Sequence, residues 1–169
     1  MKTLSVVFLV VVAVMLSSCQ PPSSKDNAVK KSSVVKLPSA RVDLVLKKYD
    51  GAGDISMSDY QGNPLILYFA APWTDSSKAS IEQIKLLKKA DFVVIPVIFD
   101  SQPVETIHTG IYQEFVELNA CRGSKELTER VGGIRAMPTT VFLDSNGTVA
   151  GIWPGYVTAD EIMRNIAEL

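Results

Sequence analysis

The 169-residue chain has little of what usually assigns a function at sight. It contains one histidine, His108, and two cysteines, Cys19 and Cys121, far apart in sequence. No spacing of these residues supports a zinc or copper site, and no cofactor is implied. There is no glycine-rich phosphate loop and no Ser-His-Asp order. Seventeen Lys and Arg stand against 18 Asp and Glu, a formal charge of −1, so no basic excess points to nucleic acid. The longest apolar stretch, nearly continuous from Leu4 to Leu16, is shorter than the ~20 residues a membrane-spanning helix needs. No internal repeat is visible. What remains, 47% hydrophobic residues with 10 Gly and 9 Pro, suits one ordinary folded domain.

The two cysteines read differently. Met1-Lys2-Thr3, the apolar run and Ser17-Ser18 before Cys19 follow the order of a secretory signal: a positive start, an apolar core and small residues at the cleavage point. Leu16-Ser17-Ser18-Cys19 also resembles a bacterial lipobox, which implies a signal peptide at 1–18 and diacylglycerol on the Cys19 thiol, with an acyl chain such as palmitate on the new amino terminus. Two or three acyl chains hold a protein on a membrane without a spanning helix, each buried methylene adding ~0.8 kcal/mol. Gln20 rather than Asp follows the cysteine, which by the usual sorting rule implies the periplasmic face of an outer membrane where the host has one.

Residues 20–41, rich in Ser, Pro and Lys, read as a flexible tether, giving a lipidated and extended segment over 19–41. The tether carries five bases against Asp26 alone. The remainder, 42–169, carries eleven bases and seventeen acids, a net of −6. The near-neutral total therefore conceals a basic tether and an acidic domain. Such a tether could be attracted to an anionic lipid surface or simply act as a solvated spacer.

From Val42 onward, strand and helix patterns alternate. Val42 to Leu46 and Ile55 to Met57 are short strand candidates, and Leu65 to Ala70 is apolar throughout, as suits a strand buried on both faces. A helix is expected over Ser77 to Lys89, a strand over Phe92 to Phe99, another over Phe115 to Leu118, and a short helix over Lys125 to Val131. Thr140 to Leu143 and Val149 to Trp153 flank the turn residues Asp144-Ser145-Asn146-Gly147. Thr158-Ala159-Asp160-Glu161 forms a capping-box signature ahead of a closing helix. The order predicts an α/β fold with parallel crossovers and an antiparallel edge.

That order, with Ala71-Pro72-Trp73 after a buried strand and Ala136-Met137-Pro138-Thr139-Thr140 before a hairpin, resembles the thioredoxin-like superfamily and within it the membrane-tethered TlpA/ResA branch. The resemblance implies a thioredoxin-like fold: a central mixed sheet flanked by helices, with an inserted strand and helix before a cis-proline loop. By base rate Pro138 would be trans, since only about 5–6% of X–Pro bonds are cis; the resemblance implies cis. In this family a Cys-x-x-Cys follows the tryptophan. Here the stretch is Trp73-Thr74-Asp75-Ser76-Ser77, a degenerate redox motif with Thr74 and Ser77 at the thiol positions. A hydroxyl cannot form or exchange a disulfide, and a helix dipole worth ~1 kcal/mol does not close the gap in acidity.

The resemblance implies that Trp73, Met137 and Pro138 still bind an extended peptide, with Trp153 as an apolar neighbour. Thr74 and Asp75 also fit a helix N-cap. Ser77 could alternatively activate a bound thiol, as in glutathione transferases. Cys121, after the expected strand at Phe115 to Leu118, falls near the rim where α/β sheets hold ligands. Three readings follow: a lipid-anchored, extracytoplasmic, redox-inactive module that binds an exported or envelope protein; an oxidoreductase-like enzyme using Cys121 as a single thiol; and a purely structural envelope lipoprotein. Asp100, Glu105, Glu114 and Glu117 read as solvated charges.

Overall fold

The computed structural model describes residues 37–100 and 110–169. Expectations resting on the signal segment, on Cys19, on most of the tether and on Glu105 and His108 lie outside the described residues. Among the described residues, seven strands and four α-helices follow in order: β1 (Val45–Lys47), β2 (Asp54–Ser56), β3 (Leu65–Ala70), α1 (Asp75–Lys89), β4 (Val93–Ile98), α2 (Gly110–Glu117), β5 (Cys121–Arg122), α3 (Lys125–Arg130), β6 (Thr139–Leu143), β7 (Val149–Pro154) and α4 (Ala159–Ala167). A 3₁₀ turn, Met57–Tyr60, links β2 to β3.

β3 to β7 form one mixed sheet in the order β5-β4-β3-β6-β7. β3, β4 and β5 run parallel, while β6 and β7 are antiparallel. This is the α/β architecture with parallel crossovers and an antiparallel edge that the residue pattern predicts. β1 and β2 make a separate hairpin, tied to β5 by a bridge between Lys48 and Cys121.

All six residues of β3 are buried, and the two-residue strand period divides them between two cores. Ile66, Tyr68 and Ala70 face α1, α2 and α4, meeting Ile81, Ile84, Leu87, Phe115 and Ile162. Leu65, Leu67 and Phe69 face the other side, meeting Leu46, Ile55, Leu127, Val141 and Cys121. Each such aliphatic or aromatic side chain contributes about 1.5–3 kcal/mol by leaving water. β3 is therefore a fixed central element, and its carboxyl end is a rigid place to mount a loop.

α1 starts two residues earlier than its apolar stripe suggests. Thr74 caps it, and its Oγ1 accepts from the Ser77 amide at 3.2 Å. Asp75 in the first turn and Lys88 and Lys89 in the last complement the helix dipole. At the β6–β7 turn, Asp144 Oδ1 accepts from the amides of Asn146 and Thr148, each at 2.9 Å, and Gly147 supplies the positive φ of 77° the turn requires. Thr158 caps α4, its Oγ1 accepting from the Glu161 amide.

One expected element is corrected. Phe115 to Leu118 is not a strand: Phe115 to Glu117 end α2, where Ile111, Tyr112, Phe115 and Val116 share one helical face against the core. Asn119, at φ 58°, breaks the helix, and the chain enters β5 two residues later. Helix and strand together occupy the insertion ahead of the Pro138 loop.

Candidate functional site

The carboxyl end of β3 gathers four chain segments at one rim. Phe69 pairs with Thr139, and Thr139 pairs with Pro154, so Ala71 to Thr74, Met137-Pro138 and Gly155-Tyr156 all leave neighbouring strands at the same end. The Phe99 amide donates to the Ala70 carbonyl at 3.2 Å, which brings the end of β4 there as well. The Met137–Pro138 peptide bond is cis. The Gly155 amide donates to the Pro138 carbonyl at 2.8 Å, and Gly155 adopts φ 90°, which a side-chain-bearing residue would rarely tolerate.

Trp73 is 63% exposed and Tyr156 44% exposed, whereas most large apolar residues of the domain are buried. Pro138 is buried and Met137 half-buried. Met137 packs toward the Phe69 core, on the opposite sheet face from Trp153, which packs toward the Ile66 core and lies over Gly151. Met137 and Trp153, both expected as apolar neighbours of Trp73, thus pack against different cores. Gly155 bonds the Pro138 loop, and Tyr156, the next residue, is a second exposed aromatic at this rim. Sequence reading missed it, although a Pro-Gly-Tyr after an antiparallel partner of the Pro138 strand could have signalled it.

The stretch after Trp73 is occupied by its own hydrogen bonds. Thr74 Oγ1 donates to the Ala71 carbonyl at 3.1 Å while capping α1. Ser77 is fully buried, and its Oγ accepts from the Ala71 amide at 3.1 Å. Ser76 Oγ donates to Thr74 Oγ1 at 3.4 Å, and Asp75 points to solvent, 3.7 Å from Lys78. Below them Tyr68 donates to Ser80 Oγ at 2.6 Å, and Ser80 Oγ donates to the Ser76 carbonyl at 2.7 Å. Burial pushes the Tyr68 hydroxyl up to about 12, with the Ser80 contact opposing. With no exposed surface and its Oγ engaged by the Ala71 amide, Ser77 is not presented to a bound thiol, and among the described residues this network holds the loop.

Cys121 does not reach the rim. It lies within β5 opposite Val97, has no exposed surface, and burial pushes its thiol up to about 12. A nucleophilic thiol needs an electropositive, partly exposed setting, and this one has neither. Asp100 is not merely solvated: its Oδ2 accepts from the Tyr49 hydroxyl at 2.9 Å, and the Arg122 guanidinium lies 5.0 Å from the centre of the Tyr49 ring. Glu114 pairs with Lys85 at 3.1 Å, and Glu117 accepts from Gln113. Among the described residues no three His, Cys, Asp or Glu side chains converge on a metal position, and no helix is long and apolar enough to cross a membrane.

A family profile described as a thioredoxin-like domain matches residues 53–168, more than half of the chain. No curated protein matches significantly. Among solved structures, the exposed lipoprotein thioredoxin Etrx1 of Streptococcus pneumoniae is 28% identical, with a TM-score of 0.59 over 76% of this chain and 100% of that one. A DsbF homologue from Corynebacterium diphtheriae is 16% identical, with a TM-score of 0.64 over 90% of this chain and 98% of that one. A putative thiol:disulfide interchange protein DsbE from Chlorobium tepidum is 22% identical, with a TM-score of 0.61 over 79% of this chain and 97% of that one.

Proposed function

Because the chain belongs to the thioredoxin-like family, we propose that it is a member whose two thiol positions have become Thr74 and Ser77 and which binds an extended segment of an exported or envelope protein instead of exchanging disulfides. We further propose that it acts outside the cytoplasm, anchored by lipid at Cys19; the similar pneumococcal protein is described as an exposed lipoprotein, which supports this reading. The observation that carries the proposal is a contrast within five residues: the hydroxyl of Thr74 is engaged by the Ser77 amide and that of Ser77 by the Ala71 amide, while the adjacent Trp73 keeps 63% of its surface exposed.

A hydroxyl cannot attack a disulfide, but an exposed aromatic and a free peptide edge can still bind. Trp73 and Tyr156 offer exposed aromatic surface at the rim that carries Met137, and an extended chain laid across that rim would pair through its backbone with Met137. The single-thiol reading finds no support in the geometry, since Cys121 is sealed in the sheet. The purely structural reading leaves two exposed aromatics at the rim unused.

A photoreactive residue at Met137 in the native envelope should cross-link saturably to a defined protein, and Trp73→Ala should suppress the product. Purified protein should not reduce a model disulfide, whereas Thr74→Cys with Ser77→Cys should introduce that activity. Disulfide reduction by the unaltered protein, lost in Cys121→Ala, would overturn the proposal. Failure to cross-link any defined partner would leave the structural reading in its place.

A further inference from the structure

At the other end of the sheet from Trp73, a cleft of about 370 Å³ runs beside the first half of β4, a volume in the range of ligand sites. Lys48, Asp59, Tyr60 and Lys88 line it together with Val93 to Ile95. β5 is only two residues long and pairs with Val97 and Ile98, so the outer edge of β4 before Pro96 has no strand beside it.

Backbone groups along a strand alternate between its two edges. Phe99 donates to Ala70 on β3, and the Ile98 carbonyl accepts from Gly123 on the outer side. Counting back by twos, Pro96 and Val94 also face outward. Pro96 has no N–H to leave unpaired, as suits an open edge. Val94 presents both an N–H and a carbonyl, and no described residue bonds them across that edge. Val94 is only 3% exposed and lines the cleft, so this pair lies at its floor. Buried backbone groups in native proteins nearly always find a partner.

The charges set a direction. Lys88 donates to the carbonyl of Leu118, three residues before Cys121, which places its ammonium on the β5 side of the cleft, and Lys48, whose backbone bridges to Cys121, lines the same cleft. Neither forms an ion pair among the described residues, whereas Asp54 is held by Lys47 at 2.8 Å. A carbonyl is the only hydrogen-bond partner of Lys88 among the described residues, and burial lowers its pKa, the sign of an ammonium short of counter-charge. β5 closes the cleft at this side, so an added strand must end there.

We propose that this cleft captures the C-terminal tail of a partner protein as a short extra strand parallel to β4, its backbone paired with Val94 and its terminal carboxylate placed between Lys48 and Lys88. Strand addition supplies the missing backbone partners, and the carboxylate supplies the missing counter-charge. The site is independent of the Trp73 rim.

The test uses the full chain, ¹⁵N-labelled, titrated with an acetylated hexapeptide of alternating threonine and valine bearing a free C-terminal carboxylate. Saturable binding should shift the Val94 amide resonance and slow its exchange with solvent. Amidation of the peptide terminus and Lys88→Met should each weaken binding by about tenfold or more, and Trp73→Ala should leave it unchanged. Absence of saturable binding, an unmoved Val94 amide, or equal binding of the amidated peptide would overturn the proposal. So would equal binding of an amidated peptide ending in glutamate, because an acidic side chain would then serve as well as a chain terminus.

Discussion

A thiol ionises readily when a positive charge or helix N-terminus faces it and water can reach it; at Cys121 neither condition is met. Its neighbours are the strands on either side and the Leu67 and Leu127 core, and its ionisation is pushed from 9.0 up to about 12 by burial. The sign of the effect on stability follows. Below pH 9 the thiol is neutral in folded and unfolded chains alike, and its burial contributes fully. Between pH 9 and about 12 the unfolded chain releases a proton that the folded chain retains, so stability falls by up to ~1.4 kcal/mol per pH unit. Tyr68 also titrates late, but it is common to the protein and to Cys121→Ala. Denaturant unfolding of the two at pH 7 and pH 10 should therefore show the stability advantage of Cys121 shrinking by about 1 kcal/mol at the higher pH. An advantage independent of pH would mean that the thiol is not sealed in the sheet.

At the level of elements, α1 shows how one substitution serves two structures. Thr74 is where the resemblance puts a catalytic thiol, and it is also the helix cap, accepting from the Ser77 amide. A threonine there holds the helix start by hydrogen bonding, as serine would. Thr74→Ala should cost about 1 kcal/mol of stability and Thr74→Ser close to none, as read by chemical denaturation. Equal losses would show that the methyl group, rather than the hydroxyl, holds the loop. The same scale explains what could be read in advance. β3 was legible because six consecutive apolar residues fit a strand covered on both faces, and the α4 cap because its signature is local. α2 was not, because Phe115 to Leu118 is too short to separate the two periodicities without Ile111 and Tyr112. Trp73 and Pro138 stood out through the resemblance. Tyr156 and the Tyr49–Asp100 hydrogen bond depend on strand register, which no local pattern encodes.

For the whole molecule, the sheet has two ends that carry different chemistry. The rim beyond Ala70 presents aromatics, and the cleft beside Val94 presents a backbone edge and two lysines. A module with two such ends suits a location where its partners are already concentrated, and the amino-terminal segment would supply that location by anchoring the chain at Cys19. Two forces could hold it: acyl chains on Cys19, and the attraction of the +4 tether to anionic lipid. They separate under salt. At about 1 M ionic strength the screening length falls to roughly 3 Å, which removes the electrostatic contribution and leaves the acyl chains untouched. The protein should therefore stay with the membrane fraction through a high-salt wash and incorporate labelled palmitate. Cys19→Ala should incorporate none, and a salt wash should release it from the membrane. Retention of Cys19→Ala after the wash would assign the anchoring to the apolar run itself and remove lipid from the account.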